Sequence, residues 1–271
     1  MPESLVPRHR RSPRSNDSSP TYSARSGAKM DTPEDLRGFN VLFFVTEAVG
    51  LVAVILMAVW TANYRGGFAW TSNPALEFNW HPLLNTIGMI YLFANSILVY
   101  RALRTIRKKT LKIIHGAIHL VVIVLTVIAF IAVLDSHNLA KPNPIPNFYS
   151  LHSWLGIVTV IIYVLQWIFG LTAFLWPGYP LHLRTAILPV HTFMGLLAFV
   201  LAIATAFTGL TEKAIFSVTG YSSFVGETYL VNLMGLVFVL FGGLVVYLAT
   251  ELKYKRYPRP EDSGLLSSSS D

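Results

Sequence analysis

Six long apolar runs, at positions 39–60, 81–100, 111–134, 149–176, 187–209 and 230–252, dominate the pattern of the chain. Each is near the ~20 residues that carry an α-helix across the ~30 Å hydrocarbon core of a bilayer. What separates the runs is polar or helix-breaking. Arg65-Gly66-Gly67 and Asn73-Pro74 follow the first, and the basic stretch 104–109 follows the second. Lys141-Pro142-Asn143-Pro144-Ile145-Pro146 follows the third, Trp176-Pro177-Gly178-Tyr179-Pro180 the fourth, and the polar stretch 211–228 the fifth. The pattern predicts an all-α integral membrane protein with six transmembrane helices.

Composition agrees: 53% of residues are apolar and 13% charged, against about 25% charged in soluble domains, and the mean hydropathy is +0.52. The charges that remain are distributed unevenly. The two tails and the second and fourth connections carry 18 of the 21 Lys and Arg residues, leaving Arg65, Lys141 and Lys213 for the opposite side. The positive-inside bias therefore predicts that both termini are cytosolic. Residues 1–37, rich in Ser, Pro and Arg, read as a disordered cytosolic tail, residues 38–252 as the six-span domain, and residues 253–271 as a second disordered tail. Arg8, Arg10, Arg11 and Arg14 read as solvated charge beside anionic lipid, so no nucleic-acid partner is expected. Glu261-Asp262-Ser263-Gly264-Leu265-Leu266 resembles an acidic dileucine sorting signal. It tilts the expected location to endolysosomal or secretory-vesicle membranes, with the plasma membrane as the other choice.

The chain has no cysteine and eight histidines, which removes thiolate ligands and covalently attached haem and leaves imidazole as the soft ligand. His81 opens the second run, His115 and His119 lie in the first turns of the third, His152 opens the fourth and His191 opens the fifth; His9, His137 and His182 lie in tails or loops. Spans two and four run inward, so His81 and His152 fall at the outer face. Spans three and five run outward, so His115 and His191 fall at the cytosolic face. Two imidazoles at each level, from facing helices, are what a six-coordinate haem iron needs. Ionisable residues inside spans are rare and costly, and four at matched depths exceed what packing requires. Spans 2–5 are thus expected to form a central four-helix bundle holding two b-type haems, one near each membrane face. His119 shares a helix face with His115 and is expected to hydrogen-bond nearby, with a haem propionate as one partner. Gly156 and Gly195, each four residues after a ligand, would leave room for a flat macrocycle. Glu47 in the first span has four readings: snorkelling, pairing with a cation, proton movement, or plain packing. Gln166, mid-span in the fourth, is expected to bond another helix or the outer haem.

At these residues the chain resembles the cytochrome b-561 family. The likeness is carried by Tyr64-Arg65-Gly66-Gly67-Phe68-Ala69-Trp70, Phe78-Asn79-Trp80-His81-Pro82, Leu98-Val99-Tyr100-Arg101, His115-Gly116, Tyr149-Ser150-Leu151-His152-Ser153-Trp154-Leu155-Gly156, Pro189-Val190-His191 and Gly209-Leu210-Thr211-Glu212-Lys213. It covers roughly residues 39–252. The resemblance implies the pairings His81 with His152 and His115 with His191, the same pairs that topology gives. It further implies ascorbate as the cytosolic donor, held by Lys108, Lys112 and Arg184, with Arg101 near the haem edge. On the outer side it implies monodehydroascorbate or a ferric chelate as acceptor, with His137 at its site, and a homodimer. Arg65 is a further candidate for binding an anionic or chelated acceptor. Charge supports the cytosolic assignments, since ascorbate is an anion and Lys112 lies one turn from His115.

The implied activity is transmembrane electron transfer by an ascorbate-dependent monodehydroascorbate or ferric reductase. Two other readings rank lower. A histidine-box membrane oxygenase, suggested by the His115/His119 spacing, would gather its histidines on one face. A six-span transporter without haem would not need histidines in four matched turns, and neither broken spans nor inverted repeats are evident.

Overall fold

The computed structural model describes residues 33–257, and among them there is no strand. The described residues open in a helix at Pro33. The two tails before and after this range, with the dileucine-like stretch, lie outside the described residues. Six helices are long and apolar enough to cross a membrane: α1 (Arg37–Tyr64), α2 (Pro74–Ala102), α3 (Lys108–Asn138), α4 (Leu151–Phe174), α5 (Leu181–Ser217) and α6 (Gly226–Thr250). Helices α2 and α3 form one antiparallel hairpin and α4 and α5 another, and the two hairpins close into a four-helix ring. Helices α1 and α6 pack on each other and against the α2 and α5 side of that ring. Large apolar residues such as Phe44, Val121, Trp154, Phe193 and Leu236 cover the outside and are 50–69% exposed. That belt is the lipid-facing surface of an integral multi-pass membrane protein.

Helix ends differ from the apolar runs because a helix continues wherever its backbone is satisfied, inside the bilayer or beyond it. Helix α5 has 37 residues, about 55 Å at 1.5 Å per residue, so it overshoots the hydrocarbon core. His191 therefore lies ten residues into α5 rather than at its start, and His182 is helical. Likewise His137, expected in a loop, falls in the last turn of α3. At the start of α4 a capping box fixes the helix entry: Ser153 N–H donates to Ser150 Oγ at 3.3 Å, and Ser150 N–H donates to Ser153 Oγ at 3.1 Å. That cap orients the turn bearing His152. The segment Leu252–Tyr254, assigned above in part to the C-terminal tail, forms a 3₁₀ turn, and Tyr254 is buried with its ring 5.4 Å from that of Phe39.

Helix α2 contains a π-helical stretch, Thr86–Leu92. A π turn takes one residue more than an α turn, and such turns often mark functional sites. Its effect appears in the spacing of the site residues.

Candidate functional site

The bundle brings the four span histidines together in two pairs. The rings of His81 and His152 lie 6.0 Å apart at 90°, and those of His115 and His191 lie 6.3 Å apart at 69°. We call these the outer and inner pairs, after the charge bias.

Each imidazole is aimed by a hydrogen bond at Nδ1. His81 Nδ1–H donates to Ala129 O at 3.1 Å and His115 Nδ1–H to Ser96 O at 2.8 Å. His152 Nδ1–H donates to Thr205 O at 2.9 Å and His191 Nδ1–H to Gln166 Oε1 at 2.9 Å. A carbonyl can only accept, so it fixes the proton on Nδ1 and leaves the Nε2 lone pair free. This is how proteins prepare a metal-binding histidine.

The four bonds are reciprocal within each hairpin. Helix α2 carries His81 and, 15 residues on, Ser96; α3 carries His115 and, 14 on, Ala129; α4 carries His152 and, 14 on, Gln166; α5 carries His191 and, 14 on, Thr205. Fourteen residues are close to four turns, so both groups face the bundle interior about 21 Å apart along the axis. Helix α2 needs 15 because its π turn lies between the two.

Glycines make the room. On α4, a Cβ at Gly170 would stand 2.9 Å from His191 Cε1; on α5, one at Gly209 would stand 2.6 Å from His152 Cε1. By contrast, a Cβ at Gly116 or Gly195 would meet nothing within 4 Å, and one at Gly156 would meet Thr205 Cγ2 at 3.5 Å. A cavity of about 920 Å³ opens at the outer pair, lined by His81, His152, Gly156, His137, Glu212 and Lys213. Its size is that of a ligand site. Opposed imidazoles with Nδ1 already engaged, beside glycines that leave space, fit a planar macrocycle with a six-coordinate iron.

Between the pairs the bundle is filled. Phe93 from α2, His119 from α3, Tyr163 from α4 and Phe199 from α5 are all buried. The Phe93 ring lies 5.3 Å from His119, 4.7 Å from Tyr163 and 5.5 Å from Phe199. The hydrogen bond expected of His119 goes to Tyr163, at 2.5 Å between Nδ1 and the hydroxyl oxygen. Its ring packs 4.4 Å from that of His115. Gln166 reaches the inner pair and not the outer, its Nε2 also donating to His191 O at 3.1 Å.

At the inner end, Lys112 Nζ donates to Phe174 O at 2.8 Å, and the Phe174 ring lies 5.2 Å from His191. Lys108 and Arg184 lie close enough to Lys112 to act on its charge, so three like charges gather there. Arg184 Nε is buried without a protein acceptor. Arg101 is brought instead to the end of α6, where it donates to Glu251 O at 2.6 Å and Ala249 O at 2.5 Å. Its neighbour Tyr100 has its ring 5.6 Å from that of His115.

At the outer end, His137 faces Asn147 Oδ1 at 3.1 Å and lines the cavity. Arg65 is not among the lining residues. It donates to Glu227 Oε1 and to Ser217 O, both at 2.9 Å, and Trp60 Nε1–H donates to the same carboxylate oxygen at 2.7 Å. Arg65 thus latches α1 to α5 and α6. Lys213, which the sequence reading did not single out, lines the cavity with Nζ 3.9 Å from the centre of the Phe78 ring. Being one of three cations on the sparsely charged side was the signal that could have found it.

Six membrane-spanning helices, four of them around two opposed imidazole pairs, fit a membrane-spanning cytochrome of the b type. The family model for eukaryotic cytochrome b561 matches residues 80–217. The chain belongs to that family. It is 39% identical over 240 residues to the human transmembrane ascorbate-dependent reductase CYB561, covering 88% of this chain and 92% of that one. It is 42% identical over 238 residues to the plasma membrane ascorbate-dependent reductase CYBRD1 of Xenopus tropicalis, covering 86% of this chain and 82% of the relative.

Proposed function

We propose that the protein is a transmembrane electron carrier with two haems b, taking single electrons from cytosolic ascorbate and delivering them to a lumenal or extracellular acceptor, monodehydroascorbate or a ferric chelate. His81 and His152 would hold the outer haem, and His115 and His191 the inner one. The observation that carries this reading is that all four Nδ1–H groups are spent on protein oxygens, so that both pairs offer Nε2. That both relatives are ascorbate-dependent reductases supports the donor.

Bound in these positions, haem would supply one-electron ferric/ferrous chemistry, and two histidines offered to each iron would favour electron transfer over oxygen activation. The chain's own residues do the rest. Lys108, Lys112 and Arg184 draw in the ascorbate anion, and the unmet Arg184 Nε–H offers it a donor. Phe174 links that mouth to His191. Phe93, Tyr163 and Phe199 keep water and ions out between the levels, so that charge crosses as electrons alone. His137 and Lys213 present polar groups to an acceptor in the outer cavity. Arg101 and His119, tied to α6 and Tyr163, brace the inner site from behind. The histidines stand at two levels rather than in one cluster, which sets this site apart from a histidine-box oxygenase. Both termini would lie in the cytosol, in an endolysosomal, secretory-vesicle or plasma membrane.

An optical spectrum of the protein in membranes, before and after adding ascorbate, tests this. The expected result is a b-type spectrum with about two haems per chain, reduced by ascorbate, with His115→Ala or His152→Ala each removing one component. Well-folded protein without haem would overturn the reading; haem reduced by dithionite but not by ascorbate would overturn the donor.

A further inference from the structure

We propose that Arg256 is a positioning residue for ascorbate capture: anchored by the buried Tyr254 beside it, it straps the connection between α2 and α3 to the end of α6 and so sets where Lys108 and Lys112 stand. This rests on the electron-carrier reading above, since ascorbate is the ligand those lysines would hold.

The connection needs holding. Residues 103–107 join the two helices and sit among six cations: Arg101, Arg104, Arg107, Lys108, Lys109 and Lys112. Like charges so close push the segment apart, and the last carbonyls of a helix have no partner within it. Arginines meet both needs. Arg104 Nε donates to Arg101 O at 2.8 Å. Arg256 Nε donates to Arg104 O at 3.3 Å, and Arg256 Nη2 donates to Ile106 O at 3.4 Å. In return, Arg104 Nη2 donates to Tyr254 O at 2.6 Å. Connection and strap therefore hold each other. A guanidinium spans two carbonyls through its planar fork, which a lysine ammonium does not reproduce.

The strap is itself anchored. Tyr254 is buried while its neighbours Lys253 and Lys255 are exposed. The Tyr254 ring lies 5.4 Å from that of Phe39 on α1 and 6.2 Å from that of Tyr247 on α6. Just before the strap, Arg101 donates to Ala249 O and Glu251 O and so joins the end of α2 to the end of α6.

From the strap to the ascorbate mouth the path is short. Ile106, whose carbonyl Arg256 holds, stands two residues before Lys108, which opens α3. Arg107 is the N-cap of that helix, and its carbonyl accepts from Leu111 N–H at 3.0 Å. Leu111 is fully buried. The turn that carries Lys108 and leads to Lys112 is thus fixed on one side by Leu111 in the bundle and on the other by Arg256. Arg256 acts through the backbone at Arg104 and Ile106, and its fork matters more than its charge.

The test is the rate of haem reduction against ascorbate concentration, measured on the holoprotein in membranes. Arg256→Gln should raise the half-saturating ascorbate concentration about tenfold, the scale of hydrogen bonds lost from a charged group. Its limiting rate, haem content and reduction by dithionite should match the wild type. Arg256→Lys separates position from charge: it keeps the cation and loses the fork, so it should raise half-saturation nearly as much. Lys255→Gln, which removes an exposed charge next door, should leave it unchanged. Tyr254→Ala should behave as Arg256→Gln does, and the Arg256 pair decides even where Tyr254→Ala fails to retain haem. Wild-type half-saturation in Arg256→Gln, or full recovery in Arg256→Lys, would overturn this proposal alone. Wild-type protein without haem, or with haem that ascorbate does not reduce, would overturn the reading on which it rests.

Discussion

Gly209 and His152 are in contact across α4 and α5: a Cβ at residue 209 would stand 2.6 Å from His152 Cε1. The imidazole cannot retreat without losing its bond to Thr205 O at 2.9 Å. Gly209→Ala should therefore push the ring off its aim, at an overpacking cost of ~1–3 kcal/mol. The expected outcome is loss of the outer haem component with the inner one retained, read from the optical spectrum and haem titre.

Gln166 grips His191 twice, through Nδ1 at 2.9 Å and the backbone carbonyl at 3.1 Å. Gln166→Leu should weaken haem retention at the inner site by about 10–100-fold. Gln166→Glu should keep the haem and lower its midpoint potential, because an anionic acceptor makes the imidazole a stronger electron donor. Haem titration and potentiometry check the pair.

Arg184 offers a buried Nε–H with no protein acceptor. Arg184→Gln should raise the KM for ascorbate about tenfold or more, the scale of a hydrogen bond to a charged group. Reduction by dithionite should be unchanged. Raising ionic strength should weaken ascorbate use in the wild type more than in the variant. Steady-state reduction rates decide this.

The latch formed by Arg65, Glu227 and Trp60 is mostly buried. Glu227→Gln should destabilise the fold by about 1–3 kcal/mol, since it leaves a partly buried guanidinium short of a charged acceptor. Thermal unfolding in detergent should show it, while ascorbate reduction of the inner site proceeds at the wild-type rate.

The spans and the levels of the four histidines were legible because hydropathy reports membrane crossings and a ligand's depth follows from its place in a run. Helix ends were not, because α3 and α5 continue past the bilayer, where hydropathy carries no signal; this is why His137 proves helical. Ala129 and Thr205 could not be read as partners of His81 and His152, since it is their backbone carbonyls that act. Gln166 was visible as a polar residue in an apolar run, but its target depended on how α4 faces α5. The roles of Arg65 and Arg101 were hidden for another reason. Their partners, Glu227 and the end of α6, lie about 150 residues away in sequence, and a cation beside a membrane is explained by charge bias alone.

The hydrogen bonds that aim the histidines run within hairpins, α2 with α3 and α4 with α5, whereas each histidine pair joins one hairpin to the other. Each hairpin thus brings two half-sockets, both already set, to the seam where they meet. A group lodged between the imidazoles of each pair would act as a rivet through that seam, and two such groups would hold it at both ends. Assembly of the bundle and loading of its cofactors would then be a single event.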